Sequence, residues 1–429
     1  MSARGCCSVD FNSGWAIQNL LAGGTVLGDR PLATCRPHGS PGALDAGSTE
    51  GIKTIYYLSI SELPSTTANS VHVMKMCQAL AQEECRVVLF ARPGREVKGD
   101  PFDYYGVERC FEIEWCYRPS ISHVGGLLYA LHVGARAQVL QRPDVYYARH
   151  AYSLAAVARS SVPLVFEAHG APRHALQHRV ERWLFRRPNF VQLVVISDAL
   201  AAEYVRRFPW LDERRILVAH DGADALLPDS SEKSTGERWP GRQGRLSVGY
   251  VGGLYPGRGI DIIVELAGRM PDVDFHVIGG TEQDVATWEH SLVQTNVYFH
   301  GHIPHAELAG PFARMDILLA PYQKRVHLRR GRGDTVQWMS PMKIFEYMAQ
   351  GKPIIASDLG VLREILVDGR NCLLAAPDSL DAWESALRRL EEHPELRQTL
   401  GAEAREALVR KYTWSTRASA ILRCLGEVK

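Results

Sequence analysis

Two short segments of this 429-residue chain place glycines, cations and a carboxylate at spacings suited to holding an anion. The first, GYVGGLYPGRGID at 249–261, runs from an apolar stretch into a glycine-rich turn and then toward a helix. Glycines such as Gly252 and Gly253 let backbone N–H groups approach a ligand, and a helix start favours negative charge. Arg258 stands where that helix begins, and a guanidinium can grip a phosphate with two hydrogen bonds. The spacing is not the G-x-G-x-x-G of dinucleotide-binding turns, which weakens a nicotinamide reading. A tight structural turn is the competing account. The second segment, SPMKIFEYMAQGKPIIASDLGVLREIL at 340–366, has Ser340 and Pro341 at an expected helix start. Lys343 and Glu346, three residues apart, share one helical face. A carboxylate near a helix start can accept hydrogen bonds from a ribose diol. The competing account is a surface Lys–Glu pair on a packed helix.

Such residues need a frame. Residues 53–60 and 86–91 are β-like apolar runs, and 68–84 between them has helical apolar spacing. Further short runs lie at 144–148, 163–168 and 191–196, separated by helical patterns. Strands alternating with helices imply βαβ units and a parallel sheet. Residues 224–244, rich in Ser, Gly, Pro and charge, interrupt the alternation, which resumes at 246–251 and continues to 372–374. The expected organisation is α/β. An N-terminal extension at 1–50 lies outside the folded core. A first domain at 51–225, a linker at 226–245 and a second domain at 246–411 follow, and then a helical tail at 412–429. Ligands should sit beyond the carboxyl ends of the strands, facing a shared cleft.

Composition narrows the class. Apolar residues at 46% and charged residues at 23% fit a folded globular chain, not a disordered or fibrous one. Lys and Arg total 49 against 48 Asp and Glu, so no basic excess argues for nucleic acid as a partner. Nine Cys show no Cys-x-x-Cys pair or metal-ligand spacing. Cys77, Cys85 and Cys372 sit inside apolar runs as small hydrophobes, which points to a reducing, cytoplasmic setting. No stretch of about 18 apolar residues is present to cross a membrane. The N-terminus makes a poor signal peptide.

Taken together, the motifs resemble the donor-site signature of retaining glycosyltransferases of the GT-B fold, family 4, over residues 52–428. GYVGGLYPGRGID resembles the diphosphate loop, and FHVIGG at 275–280 the strand and turn that follow. NVYFHGHIPHAEL at 296–308 resembles the base-side loop, and KIFEYMAQGKPIIASDLG at 343–360 the ribose-binding helix. YTWSTRASAIL at 412–422 resembles the final helix that crosses back to the first domain. The resemblance implies two Rossmann-like domains facing a central cleft. Its donor-binding residues would be Gly252, Gly253, Arg258, Ser340, Met342, Lys343 and Glu346.

Two departures matter. Many members carry two Glu with seven residues between them; Glu346 matches the second, and Trp338 stands at the first. A subgroup reads S-P-x-K-x-x-E, which Ser340, Pro341, Lys343 and Glu346 satisfy. The diphosphate loop usually holds an Arg and a Lys, and here Gly253 and Arg258 stand at those positions, with Lys343 as a substitute cation. On the first-domain side, VFEAHG at 165–170 places His169 at a strand end, where the family has a His near the donor sugar. YYARHAYSL at 146–154 places Arg149 after a strand. These two are the expected catalytic residues. Asp221 and Gly222, just before the hinge, are expected to be structural.

The implied activity is transfer of a sugar from a nucleotide-diphosphate sugar to a glycan or lipid-linked glycan, without a metal ion. The nucleotide sugar is a co-substrate, and no other cofactor is implied. Asp272 and Asp274 look like the Asp-x-Asp metal pair of the other glycosyltransferase fold, but they lead into a buried strand and are rejected. Residues 173–187 put Leu176, Val180, Trp183 and Leu184 on one helical face and Arg179, Arg182 and Arg186 on another. That helix either packs on the sheet or makes peripheral contact with an anionic membrane, at the inner face. Residues 324–335 form a cationic segment expected to be mobile until an anion orders it. Alternatives are a nucleotide-sugar epimerase or phosphorylase, or a catalytically silent nucleotide-sugar-binding protein.

Overall fold

A computed structural model describes residues 52–95, 97–117, 125–225, 239–328 and 331–426. The expected extension at 1–50 and most of the expected linker lie outside the described residues.

The first domain runs β1 (Thr54–Leu63), α1 (Ala68–Gln82), β2 (Arg86–Pro93), α2 (Pro101–Tyr105), β3 (Glu112–Trp115), α3 (Gly125–Val139) and β4 (Val145–Ala148). It continues through α4 (Ala151–Val157), β5 (Leu164–Ala168), α5 (Ala175–Phe185), β6 (Phe190–Val195), α6 (Asp198–Arg207) and β7 (Ile216–Val218). Its strands form a parallel sheet in the order β3-β2-β1-β4-β5-β6-β7. The second domain holds β8 (Leu246–Val251), α7 (Ile260–Arg269), β9 (Val273–Ile278), α8 (Glu282–Ser291), β10 (Val297–Phe299), α9 (Ala309–Ala313) and β11 (Ile317–Ala320). After β12 (His327–Leu328) and β13 (Gly331–Asp334) come α10 (Met342–Ala349), β14 (Ile354–Ser357), β15 (Leu373–Ala375), α11 (Leu380–Glu392), α12 (Pro394–Lys411) and α13 (Trp414–Gly426). Its sheet is also parallel, in the order β10-β9-β8-β11-β14-β15.

Strands such as LVFEA and ILLA are buried along their whole length. That follows from helices covering both faces of a parallel sheet. The strand order reverses between β1 and β4 in one sheet and between β8 and β11 in the other. Ligand-binding crevices open at such switch points, beyond the carboxyl ends. The glycine turn after β8 and the segments after β4 and β5 therefore emerge where ligands bind. Cys77, Cys85 and Cys372 are buried.

Helix α13 belongs to the first domain's core, although it ends the chain. Trp414, Ala418, Ile421, Leu422 and Leu425 pack with Val73, Met76, Cys77 and Leu80 of α1. Burying each large apolar side chain contributes roughly 1.5–3 kcal/mol. Two chain crossings run side by side, with Ala223 bridged to Thr413. Gly222 allows this closeness, because a Cβ there would lie 2.7 Å from the Tyr412 carbonyl oxygen.

Two local expectations are corrected. In α5 the buried residues are Glu181, Leu184 and Phe185, while Leu176 and Trp183 are exposed. The covered stripe is turned by roughly a quarter of a helical turn from the apolar one, because Glu181 is drawn inward by Gln177 and Tyr204. The cationic segment is not a free loop throughout: β12 and β13 pair antiparallel, and Lys324 is bound to Asp378 at 2.6 Å. Arg329 and Arg330 lie outside the described residues.

Candidate functional site

The predicted residues gather into two groups. In the second domain the chain leaves β8 through Gly252, whose φ of 153° suits glycine. A Cβ there would lie 2.6 Å from Lys343 Nζ. A Cβ on Gly253 would meet the Tyr255 ring at 2.3 Å. Tyr255 thus fills the space that a cation at position 253 would need. Lys343, on the first turn of α10, is buried and points at that turn instead. Its Nζ lies 3.7 Å from the Tyr250 ring centroid and 5.1 Å from that of Tyr322. Among the described residues no hydrogen-bond acceptor meets it. Burial, reinforced by the Arg258 charge, holds its pKa well below the usual lysine value, and Glu346 opposes this.

Arg258 shares the same aromatic walls. Its guanidinium lies 4.7 Å from the Tyr255 ring and 5.3 Å from that of Tyr322, and Nη2 donates to the Tyr255 hydroxyl at 2.5 Å. Its Nε is enclosed, and among the described residues it has no hydrogen-bond partner. A desolvated cation–π contact contributes about 2 kcal/mol, whereas removing an ion from water costs several. Aromatic rings alone therefore do not balance two neighbouring buried cations. An anion would.

Glu346 is half-buried, with Oε1 3.1 Å from His305 Nε2. With Met342, His305, Asp224 and Trp414 it lines a small pocket beside the hinge. Ser340 behaves differently. The helix starts after Pro341 with no side-chain cap, and Ser340 Oγ accepts the Asp221 backbone N–H at 2.9 Å. It ties the second domain to the hinge rather than capping α10.

The other group surrounds Glu167 in β5, a carboxylate in an apolar strand. Its Oε1 lies 2.5 Å from His169 Nε2, 2.8 Å from His72 Nε2, 3.1 Å from Arg417 Nη2 and 3.9 Å from Arg149 Nε. Its Oε2 accepts from the Tyr147 and Tyr57 hydroxyls. Burial alone would raise the carboxyl pKa, but Arg417, His72 and His169 hold it well below the usual range. His72 also lies 2.9 Å from Asp221 Oδ1, whose pKa falls to about 2 against its own burial because of His72. Burial and the Arg149 charge bring His169 down to about 4. The ligand atoms of His72, Glu167 and His169 lie within 4.8 Å of one another. That spacing could suit a metal ion, but two guanidinium groups at the same carboxylate would repel it.

Asp272 and Asp274 do not form a pair: Asp272 is exposed beside Arg245, while Asp274 is buried and accepts from the Arg242 backbone. Trp338 lies across the cleft, its Nε1 3.3 Å from where a Cβ on Gly170 would be. Its carbonyl accepts from Ser197 Oγ at 3.0 Å. Glu364 accepts from the Asp198 and Ala199 N–H groups at the start of α6. Sequence reading passed over Glu167, His72, Arg417 and the tyrosine walls. Glu167 was signalled by a charge inside an apolar strand; the tyrosines carried no signal, because their partners are distant in the chain.

Comparison with known proteins agrees with this layout. The model of Glycosyltransferase Family 4 matches residues 70–225, and that of "Glycosyl transferase-like" matches 258–423. A glycogen synthase of Mycobacterium tuberculosis is 27% identical over 311 residues, 65% of this chain and 67% of its own. A GDP-mannose-dependent alpha-mannosyltransferase of Mycolicibacterium smegmatis is 26% identical over 299 residues, 69% of this chain and 68% of its own. The crystal structure of Anabaena HepE in complex with UDP and glucose is 18% identical and superposes with a TM-score of 0.66, covering 88% of this chain and all (100%) of that one. With glycosyltransferase models matching both domains and GT-B neighbours matching the fold, the chain belongs to the family 4 glycosyltransferases of the GT-B fold.

Proposed function

We propose that the protein moves a sugar from a nucleotide-diphosphate sugar to a glycan or lipid-linked glycan, with retention of configuration and without a metal ion. The observation that carries this reading is the pair of buried cations, Lys343 and Arg258, whose Nζ and Nε have no hydrogen-bond partner among the described residues beside the glycine turn. Negative charge grows on the leaving diphosphate as the glycosidic bond breaks, and preorganised cations stabilise it. Two such cations supply what a divalent ion supplies elsewhere. The Gly252 and Gly253 backbone would face the diphosphate, with Glu346 on the ribose and Met342 beside it. Ser340 would act from behind, by holding the hinge. His169, neutral at working pH, would hydrogen-bond a sugar hydroxyl, and Arg149 would stand beside it.

Support for the donor class comes from the relatives: one is named for GDP-mannose, and the HepE crystals contain UDP. Retention rests on the motif likeness. The first domain would take the acceptor. Contact with an anionic membrane, from the cytoplasmic side, is supported by the exposed Leu176, Trp183 and Trp210 beside Arg179, Arg182 and Arg186. No helix among the described residues is long and apolar enough to cross a membrane.

Incubation with labelled UDP-, GDP- and ADP-sugars and candidate acceptors, with and without a chelator, tests the reading. Transfer that survives the chelator and keeps the anomeric configuration is expected. A strict need for Mg²⁺ or Mn²⁺ would contradict the metal-free mechanism. Binding without turnover would favour a silent nucleotide-sugar-binding protein.

A further inference from the structure

Arg417 is a costly residue for its position. It lies on the buried face of α13, among Trp414, Ala418, Ile421 and Leu422, which already dock the helix. An apolar residue there would spare the several kcal/mol of desolvation that a buried ion costs. The guanidinium is nonetheless fully engaged. Nη2 donates to Glu167 Oε1 at 3.1 Å, Nε donates to the His220 carbonyl oxygen at 3.0 Å, and Nη1 meets Met76 Sδ at 3.1 Å. It therefore joins the last helix, the segment after β7 that leads out of the first domain, and the carboxylate that holds His169.

The carboxylate's two oxygens divide the work. Oε2 is fixed by Tyr57 and Tyr147 from the sheet. Oε1 is shared by His169, His72 and Arg417, with Arg149 farther out. His72 is itself held by Asp221 of the hinge. Of the groups on Oε1, only Arg417 comes from the C-terminal helix. Without it, a carboxylate with one oxygen still held by the tyrosines would turn toward its two remaining imidazoles, and His169 would follow.

We propose that Arg417 is a positioning residue for sugar transfer: through Glu167 it fixes the His169 ring at the cleft, so that the ring is in place only when the C-terminal helix is docked across the first domain. This rests on the reading of His169 as the group that faces the donor sugar. The tyrosines, His72 and Asp221 orient the carboxylate from the first domain and hinge, and Arg417 completes it from the other end of the chain.

The test uses the full chain with Arg417→Gln, Arg417→Lys, Glu167→Gln and the Glu167→Gln/Arg417→Gln double variant. Folding is checked by thermal melting, and UDP and GDP binding by calorimetry. The His169 imidazole is followed by ¹⁵N NMR, and transfer is measured with the donor that the wild type uses. A 1 Å misplacement of a positioned group can cost about 10²-fold, so Arg417→Gln should lower kcat by that order while nucleotide affinity is kept. Arg417→Lys should recover part of the loss. In the Glu167→Gln background, adding Arg417→Gln should cost nothing more. The His169 resonances should move in Arg417→Gln and return in Arg417→Lys. The double variant removes both charges, so it stays folded if the single variant does not, and comparison with Glu167→Gln alone still decides. A folded Arg417→Gln protein with wild-type kcat and unmoved His169 resonances would overturn the proposal, as would losses that add in the double variant. If the wild type itself transfers no sugar, the functional reading fails, while the His169 resonances still decide what Arg417 does.

Discussion

The first domain buries a carboxylate and engages both of its oxygens; the second buries two cations, and among the described residues Lys343 Nζ and Arg258 Nε meet no hydrogen-bond partner. Glu167 meets Arg417, His72 and His169 within 3.1 Å and two tyrosine hydroxyls besides. Lys343 and Arg258 meet tyrosine rings and each other's repulsion. A buried carboxylate with partners on both oxygens is held in place, because each hydrogen bond is strong in a low-dielectric interior. An unsatisfied cluster stores binding energy for a ligand that completes it. Under the proposed function the two clusters would divide one job: the first would hold a ring still, and the second would receive charge.

The largest separation between them should come from Lys343→Met. Removing a group that stabilises transition-state charge costs about 10²–10³-fold in kcat, yet replacing an unpaired buried ion with an apolar residue stabilises the free protein. Activity should collapse while the melting temperature without ligand rises. A lower melting temperature would mean that Lys343 is already satisfied and that the contrast is false. Glu167→Gln should do the reverse to stability, because it leaves cations buried without their partner, at a cost of about 3–5 kcal/mol; denaturant titration measures it.

Glu346→Gln keeps shape and removes charge from the proposed ribose contact. Hydrogen bonds to charged groups contribute about 1.5–3 kcal/mol, so kcat/KM should fall on the order of 10- to 100-fold. Unchanged kinetics in a folded variant would take Glu346 out of the donor site.

The smallest effect sharpens the rule. Glu181 is a third buried carboxyl, bonded to Gln177 and Tyr204 rather than paired directly with a cation. Burial pushes its pKa from 4.5 up to about 7, where Glu167 is pushed down. Between those values the unfolded chain releases this proton and the folded chain keeps it, so its contribution to stability is lost as pH rises from 4.5 through about 7. Glu181→Gln should flatten that part of the stability–pH curve, and an unchanged slope would show that Glu181 is not held neutral.

Much of the frame was legible because its signals are local. The apolar run at 246–251 is β8, the helical spacing at 260–269 is α7, and YTWSTRASAIL contains most of α13. The glycine turn, Arg258 and Lys343 were legible as well, because chemistry and spacing coincide there. What escaped was long-range. Ser340 looked like a helix start, but its hydroxyl is spent on Asp221, 119 residues away. Residues 173–187 showed an apolar stripe, yet a buried glutamate turned the helix. The Tyr255 ring that excludes a side chain from position 253 could not be read from spacing, since only the folded turn brings the ring over the glycine.

Calorimetric binding of a nucleoside diphosphate, set against its nucleoside, decides whether the buried cations form a diphosphate site. Burial and the Arg258 charge both disfavour the charged form of Lys343, and a diphosphate arriving beside it relieves that cost. The diphosphate should bind more tightly than the nucleoside, and Lys343→Met should abolish the advantage. Equal affinity for nucleoside and diphosphate, unchanged in Lys343→Met, would contradict the diphosphate site.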